Sequence, residues 1–268
     1  MDSKEISQFI GKNIWLRKIG YFLIRLTTLR EWYLHRAMKK ILPNKEKPFR
    51  FLDAGSGMGQ HAIAIAEGYR NARVTGIELD NDQVEDCRDF ALKIGLENVQ
   101  FYKGDLTTFE YREEFDAIFC SSVLEHITDD TTVMKKLYKG LRRNGSLIVY
   151  VPTSEKRVLL TLKRSMERQL KENNEKHPHQ HVRYYSEEEL VDKLEKTGFD
   201  ILDSTITYGS FGRLAYDIVT TVQYSSFFLY IFPFYMMFIH PFVLLLMWVD
   251  LFRKNENGNG LMILARKN

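Results

Sequence analysis

The stretch that decides the fold lies at residues 51–66 and reads FLDAGSGMGQHAIAIA. A short apolar run ends at Asp53, three glycines follow at alternate positions, and a helix-like pattern begins at Gln60. Glycines so placed let the backbone turn tightly and approach a ligand where any Cβ would collide. A strand, a glycine loop and a helix in this order predict a cofactor cradle at the carboxyl edge of a parallel sheet.

The spacing of the glycines narrows the class of ligand. Loops that bind nucleotide phosphates usually read G-x-G-x-x-G, or G-x-x-x-x-G-K-S/T in a P-loop, whereas this loop reads acid-x-G-x-G-x-G without lysine. An acidic residue beside the loop suits a cationic amino-acid ligand better than a pyrophosphate. A nicotinamide oxidoreductase on a related fold is therefore the weaker alternative.

Two further acidic residues follow at positions that suit a nucleoside. Glu78 ends the second predicted strand, where a carboxylate accepts two hydrogen bonds from ribose hydroxyls. Asp105 comes just after the third predicted strand and is placed to bind an adenine amino group. The alternatives are a solvated strand-end carboxylate for Glu78 and a turn or cap residue for Asp105.

The rest of the core alternates strand and helix patterns, which predicts a parallel sheet with helices on both faces. The helix at 187–196 has its own boundary signals, because Ser186 and Glu189 have capping-box spacing and Gly198 follows its end. The predicted strands are 50–53, 73–78, 99–103, 116–120, 146–151, 200–207 and 261–265.

Residues 1–48 form a basic extension with eleven Lys or Arg and four Asp or Glu, although the formal net charge of the 268-residue chain is only +3. Apolar residues recur at three- and four-residue steps over 14–42, which predicts one amphipathic helix. Lys18, Arg25 and Arg36 fall together on another face. The extension is a lid on the core, a membrane-surface helix or a nucleic-acid grip. Basic residues interrupt its apolar positions, so we expect no secretion signal.

A charged segment at about 153–182 interrupts the alternation and ends in three alternate histidines, the last of which is His181. No cysteine or carboxylate pair nearby completes a ligand shell, so we expect no metal. Cys87 and Cys120 are the only cysteines, and each lies in an apolar periodic segment. They indicate a reducing compartment and no structural metal site.

A second interruption, at about 225–253, contains the stretch 227–249 without a formally charged side chain. Its length would span a bilayer, but the strand that follows must return to the sheet, and Pro233 and Pro241 divide the stretch. We expect a surface-lying or re-entrant helical hairpin in contact with a membrane. A dimer interface or a buried cap is the alternative.

Together, several motifs resemble the class I S-adenosylmethionine-dependent methyltransferases, in particular the small-molecule group that includes ubiquinone-type methyltransferases. The resemblance covers about residues 49–268. It rests on DAGSGMG at 53–59, FDAIFC at 115–120 with VLEHI at 123–127, RRNGSLI at 142–148, and HVRYYS at 181–186 followed by GF at 198–199. It implies an α/β fold: a Rossmann-like αβα sandwich of seven strands, the last antiparallel, after a helical extension at 1–48.

The resemblance also implies roles for individual residues. S-adenosyl-L-methionine is the expected cofactor, with the methionine end on the glycine loop, the ribose on Glu78 and the adenine at Asp105. The expected cofactor contacts are Asp53, Gly55, Ser56, Gly57, Gly59, His61, Glu78, Leu79, Asp105, Leu106 and Ser121. The expected substrate contacts are Glu125, His181, Arg183 and Tyr184. His126 is either a general base for the acceptor or a structural residue that shapes its loop.

We therefore expect methyl transfer to a small, lipophilic or lipid-linked acceptor. The chain lacks the Asn/Asp-Pro-Pro-aromatic tetrapeptide after the fourth strand, which disfavours a nucleic-acid substrate. A nucleic-acid methyltransferase and a cofactor-binding regulatory subunit remain the alternatives. We expect a cytoplasmic protein, with peripheral contact at the inner face of a membrane through 14–42 and 227–249, and with a homodimer as a further possibility.

Overall fold

Seven strands form one mixed sheet in the computed structural model, which describes residues 13–42, 44, 46–153, 182–223, 225 and 228–268. The strands are β1 (Phe49–Ala54), β2 (Ala72–Glu78), β3 (Val99–Lys103), β4 (Phe115–Ser121), β5 (Leu141–Pro152), β6 (Phe199–Thr207) and β7 (Gly260–Lys267). Their order across the sheet is β3-β2-β1-β4-β5-β7-β6. The carboxyl ends of β1, β2 and β4 therefore lie side by side at one edge.

The predicted fold is confirmed. Strands β1 to β5 pair in parallel, and β7 is antiparallel to both of its neighbours, β5 and β6. Strand β5 begins at Leu141 rather than at 146, because Leu141 pairs with Phe115 before a register shift brings Ser146 opposite Ala117. That irregularity falls in a polar stretch, which hides the first part of the strand from a hydrophobicity pattern.

Helices cover both faces of the sheet and enclose one hydrophobic cluster on each. In β1, Phe51 packs into one cluster and Leu52 into the other, as alternation along a strand requires. The helices are α1 (Ile14–Thr27), α2 (Leu29–Ile41), α3 (Gln60–Gly68), α4 (Asn81–Lys93), α5 (Asp130–Gly140), α6 (Glu187–Thr197), α7 (Ser210–Gln223), α8 (Phe228–Phe234) and α9 (His240–Phe252). As predicted, the Ser186 side chain caps α6, and Gly198 ends it in the left-handed conformation.

The basic extension is two helices, so the prediction of one helix over 14–42 is wrong. Thr28 is extended, at φ −114° and ψ 111°, and separates α1 from α2. Two successive β-branched threonines favour this break, and the Thr27 hydroxyl bonds back to the Leu23 carbonyl at 2.8 Å. Leu29 and Tyr33 share a hydrophobic cluster with the central sheet, so the extension packs on the core as a lid.

The apolar stretch is a continuous helical run, so the prediction of a hairpin within it is also wrong. Residues Tyr235–Ile239 form a π-helical turn between α8 and α9. Pro241 lies in the first turn of α9, just past this irregular turn, where a missing backbone N–H is tolerated. By length and composition alone, Tyr230–Phe252 is the one candidate membrane span within the described residues.

The buried carboxylate of Asp250 fixes the end of this run to the rest of the molecule. Asp250 is fully buried and accepts hydrogen bonds from the backbone N–H of Gly212 at 2.8 Å and of Gly209 at 3.3 Å, at the start of α7. The Tyr33 hydroxyl of α2 also donates to it, at 2.9 Å. One side chain therefore joins α9, α7 and the N-terminal lid.

We expect Asp250→Asn to lower the free energy of unfolding by about 2 kcal/mol, because a charged acceptor of buried N–H groups contributes more than a neutral one. Urea denaturation monitored by circular dichroism measures the change. Asp203→Asn is the matched control, since Asp203 pairs with Lys40 at the surface and its loss should cost under about 0.5 kcal/mol. Equal effects of the two variants would contradict the joining role of Asp250.

Candidate active site

The loop between β1 and α3 is a cradle that opens at Gly57. Gly55, Gly57 and Gly59 all have positive φ, at 77°, 51° and 74°. A Cβ at Gly57 would have only the Gln83 side-chain oxygen near it, at 3.7 Å, so the backbone there faces open space. A ligand can therefore approach the main chain closely at this position, as the glycine spacing predicts.

The cradle touches the segment that follows β4. A Cβ on Gly55 would lie 2.3 Å from the Cγ2 atom of Val123, which is a steric clash, so only glycine fits at this position. Val123 begins the loop at 123–127, which contains Glu125, an expected substrate contact; we call this segment the substrate loop. The structure thus brings the cofactor cradle and the substrate loop into van der Waals contact.

Glu78 lies beside the cradle at the end of β2. Its Oε2 atom accepts a hydrogen bond from the Gly57 N–H at 2.9 Å, and its Oε1 atom accepts from the N–H groups of Leu79 and Asp80. The carboxylate is thereby held at the carboxyl edge of the sheet, and Oε2, which accepts one hydrogen bond, keeps lone-pair capacity for a hydroxyl donor. This is the placement that ribose binding requires.

Asp105 lies beyond β3 on an exposed turn. Its Oδ1 atom accepts from the backbone N–H and the hydroxyl of Thr107, both at 2.8 Å. Asp105 therefore stabilises a turn, which was the alternative role considered from the sequence. Its Oδ2 atom remains available to an amino group. The neighbouring Leu106 is buried, whereas Leu79 beside Glu78 is 63% exposed and offers an apolar surface to a flat base.

Two predicted cofactor residues carry buried hydroxyls without a partner. The Oγ atoms of Ser56, in the glycine loop, and of Ser121, at the end of β4, are inaccessible and make no hydrogen bond within the described part of the chain. Buried polar atoms usually have partners, so two such hydroxyls at one sheet edge fit a site that takes a polar ligand. S-adenosylmethionine offers suitable groups in its amino-acid end.

A group of carboxylates gives the cradle a negative environment. Asp53 is buried beneath the loop, and its carboxylate accepts the Ala62 N–H of α3 at 3.1 Å. Burial raises the pKa of Asp53 to about 8, with Glu31 and Glu78 adding repulsion. A cationic ligand would favour the charged forms of Asp53 and Glu31, so the residues fit a sulfonium with an α-ammonium group.

Because burial raises the pKa of Asp53, the folded chain holds a proton there that the unfolded chain has lost above about pH 4. Stability therefore falls as the pH rises from about 4 to about 8 and levels off above that. We expect Asp53→Asn to gain stability relative to the wild type between about pH 5 and about pH 8, with a constant difference above about pH 8. Urea unfolding of both proteins without cofactor measures the difference.

Asp129→Asn is the matched control for this pH dependence. The Thr132 hydroxyl and N–H lower the pKa of the exposed Asp129, so it is ionised in both states across that range. Its effect on the free energy of unfolding should be independent of pH. A similarly flat difference for Asp53→Asn would show that Asp53 is ionised in the folded protein.

The lid is fastened directly to the cradle. Arg17 of α1 is almost fully buried, donates to the Met58 carbonyl of the glycine loop at 2.9 Å, and pairs with Asp86 of α4 at 2.7 Å. The Tyr21 hydroxyl donates to the same Met58 carbonyl, and the guanidinium lies over the Phe90 ring. The basic extension had three possible roles from its sequence. Arg17, one of its basic residues, supports the cofactor loop and so favours the lid.

The second lid helix brings the Glu31 carboxylate to the opposite wall. The side chain of Glu31 is nearly buried, with its oxygens 3.3 Å from the Gln60 amide and 3.6 Å from the His61 ring nitrogen. The His61 ring packs edge-on against Phe119, and burial lowers its pKa to about 3. His61, predicted as a cofactor contact, therefore lies neutral between the cradle and α2.

Arg30 extends this wall towards the far half of the sheet. Its Nη1 atom lies 3.3 Å from the Ser122 hydroxyl, its guanidinium lies over the Tyr150 ring, and its backbone N–H donates to the Tyr208 hydroxyl at 3.0 Å. Ser122 and Tyr208 both have positive φ, at 56° and 55°. Strained backbone of this kind clusters at functional sites, and neither Ser122 nor Tyr208 was predicted from the sequence as a site residue.

In the loop after β4, Leu124–His126 forms one turn of 3₁₀ helix. Glu125 is buried, and its carbonyl accepts the Val182 N–H at 2.7 Å. His126 is partly buried, and its N–H bonds to the Val123 carbonyl at 3.0 Å. The loop therefore holds Glu125 and His126 next to the residue that contacts Gly55.

Arg183 forms an ion pair with Asp130 at 2.9 Å, and its backbone N–H donates to the Glu125 carbonyl at 3.4 Å. Tyr185 and Lys193 bind the same carboxylate, at 2.6 Å and 2.7 Å, so Arg183 helps to fix the start of α5. The exposed Tyr184 precedes this cluster. His181, the remaining predicted substrate contact, lies outside the described residues, as does most of the predicted insertion at 153–182.

A family model described as a methyltransferase domain matches residues 45–206, which is more than half of the chain. The chain belongs to the class I S-adenosylmethionine-dependent methyltransferases. S-adenosyl-L-methionine is therefore the cofactor of this methyltransferase, in agreement with the open cradle, the ribose-side carboxylate and the two buried hydroxyls. The finer resemblance to the ubiquinone-type group stays a prediction.

Curated relatives include pavine N-methyltransferase of Thalictrum flavum subsp. glaucum, which is 32% identical over 137 residues, and (S)-coclaurine N-methyltransferase of Papaver somniferum, which is 28% identical over the same length. Each match covers 48% of the methyltransferase chain and 37% of the relative. The chain thus spans under two fifths of the length of these relatives.

Among solved structures, phosphoethanolamine N-methyltransferase 2 of Haemonchus contortus with bound S-adenosyl-L-methionine has a TM-score of 0.63 and 19% identity. The similarity covers 97% of the methyltransferase chain and 59% of that protein. The cyclase SpnF matches 96% of the chain and 83% of its own length, with a TM-score of 0.54 and 18% identity. These neighbours show the fold, and the presence of a cyclase among them shows that the fold alone does not determine the reaction.

Proposed function

We propose that this chain transfers the methyl group of S-adenosylmethionine to a small lipophilic acceptor. The observation that carries the proposal is the contact between Gly55 and Val123, because it joins the cofactor cradle to the loop of Glu125 and His126. When bound, S-adenosylmethionine would supply a methyl group on a sulfonium, and the acceptor atom would attack the methyl carbon in line with the sulfur, which is the leaving group. The carbon–sulfur bond breaks as the new bond forms, and the sulfur keeps the electron pair.

The chain's own residues contribute alignment, exclusion of water and proton removal. The cradle and Glu78 orient the donor, and the lid of α1 and α2 excludes water. His126 takes the acceptor's proton when the acceptor is a weak acid, since imidazole is a base near neutral pH.

The acceptor side of the site supports a lipophilic substrate with one basic or hydroxyl group. We assign Tyr150, Tyr208 and Tyr216 to the acceptor wall: the first two contact Arg30, and the rings of Tyr208 and Tyr216 lie 5.9 Å apart. Aromatic rings suit flat apolar ligands. The nearly buried Glu31 adds one carboxylate to this side, which favours an amine. The names of the two plant relatives specify N-methylation, which is consistent with an amine acceptor.

The test uses methyl-labelled cofactor with purified protein and three sources of acceptor: a panel of cyclic amines, a cytosolic extract and fractionated membrane lipids. Label in an amine or a lipid fraction supports the proposal, and mass spectrometry identifies the methylated atom. A His126→Ala sample run in parallel separates enzymatic transfer from contamination.

A cofactor-binding subunit without transferase activity is the second candidate, favoured by the diversity of reactions on this fold. Calorimetric binding of the cofactor, combined with no labelled product from any source, would establish it. The structure gives less support to a nucleic-acid methyltransferase. The basic lid residues Arg17, Lys18 and Lys40 form ion pairs with acidic residues, whereas nucleic-acid binding needs basic residues on an open face.

A further inference from the structure

The outer face of the helical run at 228–252 carries a continuous row of exposed apolar side chains. Phe234, Phe238, Phe242, Leu245, Trp248 and Phe252 follow one another at three- and four-residue steps and are 52–62% exposed. Such spacing places them along one side of the helix, over a length of about 27 Å. We call these six side chains the apolar stripe.

The opposite side of the same helix takes the polar groups. His240 is buried, with its Nδ1 atom 2.8 Å from the Tyr235 hydroxyl. Asp250, the only formally charged residue in α8 or α9, is buried against α7 and α2. Apolar side chains thus point outward and polar ones inward, the reverse of an ordinary surface helix. An exposed apolar area of this extent marks an interaction surface.

We propose that the apolar stripe docks on an anionic membrane surface, with the helix lying in the plane of the interface. Spanning is excluded by the structure, because Asp250 fastens α9 to α7 and β7 returns to the sheet after it. A helix whose inner face is buried in its own domain can bury only its outer face in lipid. This is the geometry of an in-plane interfacial helix.

Basic side chains at one end of the stripe identify the lipid as anionic. Arg36 lies over the Phe252 ring, and Arg253 and Lys254 follow α9 directly. Arg253 and Lys254 are exposed, and the stripe itself contains no acidic residue. Aromatic rings and basic residues side by side are typical of membrane interfaces, where anionic headgroups attract the cations.

A second copy of the chain fits the stripe less well. Protein interfaces carry about one hydrogen bond per 100–200 Å². Of the six stripe side chains only Trp248 has a hydrogen-bonding group, the indole N–H. Lipid hydrocarbon requires no hydrogen bonds from the surface that it covers. The stripe therefore suits lipid better than a protein partner.

Docking through the stripe would bring the acceptor wall that includes Tyr208 near the membrane. Asp250 of α9 accepts a hydrogen bond from Gly209, which lies between Tyr208 and the start of α7. A lipophilic acceptor could then reach the site from the lipid phase. The docking surface itself is independent of methyl transfer, so its test does not require an active enzyme.

The experiment is vesicle flotation of the full chain with phosphatidylcholine alone and with added phosphatidylglycerol, at low and high salt. We expect flotation with anionic vesicles at low salt and a marked loss at high salt. Leu245→Glu combined with Trp248→Glu should lower the bound fraction at least tenfold. Leu92→Glu is the matched control: Leu92 is 77% exposed on α4, outside the stripe, and its substitution should change binding less than twofold.

Lys254→Gln tests the basic end and should weaken binding to anionic vesicles about fivefold, with no effect on neutral ones. Circular dichroism and calorimetric cofactor binding establish that each variant is folded. The proposal is overturned if the folded wild type stays unbound to anionic vesicles at low salt. It is equally overturned if light scattering shows a dimer that the stripe variants dissociate, because a second copy would then cover the stripe.

Discussion

Replacing Glu78 by alanine is expected to weaken S-adenosylmethionine binding at least tenfold. The hydrogen bond expected from a ribose hydroxyl to the carboxylate would be lost, at about 1.5–3 kcal/mol for a bond to a charged group. The same change also removes the acceptor of the Gly57 N–H, at 2.9 Å, and so loosens the cradle. Isothermal titration calorimetry with the purified protein measures the affinity.

Two further variants distinguish binding from structure at Glu78. Glu78→Gln keeps an oxygen for the Gly57 N–H but loses the charge, so its affinity should lie between those of the wild type and Glu78→Ala. Glu85→Ala, in the surface pair with Arg88, should leave affinity unchanged. Wild-type affinity in Glu78→Ala would remove Glu78 from the cofactor site.

Substituting His126 by alanine should lower turnover about a hundredfold while cofactor affinity stays close to that of the wild type. General bases contribute factors of this size, and the loss falls on the chemical step rather than on donor binding. Initial rates with the labelled acceptor, together with calorimetry, separate the two quantities. The acidic limb of the pH–rate profile that reports the base should disappear in the variant.

His126→Gln addresses the structural alternative. Glutamine can replace a hydrogen bond that shapes the loop, but it cannot accept a proton. Turnover restored by glutamine, or turnover of His126→Ala within a factor of three of the wild type, would assign His126 a structural role. Continued slow turnover in both variants supports the base.

Local patterns were sufficient for the sheet and the cradle. Most strands contain a short apolar run bounded by turn residues, and the glycine loop lies between one such run and a helix. The placement of Glu78 follows from its position at the end of β2, because parallel strands bring their carboxyl ends to one edge. These inferences need only neighbours in sequence and the rules of α/β topology.

Contacts between residues far apart in the chain could not be predicted from local sequence patterns. The Arg30 N–H and the Tyr208 hydroxyl are separated by 178 residues, and nothing in either neighbourhood indicates that they meet. The ion pair of Arg183 with Asp130 likewise follows from packing of α6 on α5. The break at Thr28 was missed because apolar periodicity continues through it, and the π-helical turn at Tyr235–Ile239 was missed because proline was taken as a helix end.

The hydrogen bonds from Arg17 and Tyr21 to the Met58 carbonyl have a thermodynamic consequence. They make docking of α1 and the shape of the cofactor loop parts of one equilibrium. Any ligand that favours the docked loop by a given free energy must favour the docked helix by the same amount, since such coupling is reciprocal. Docking of α1 can therefore set how tightly the cofactor is held.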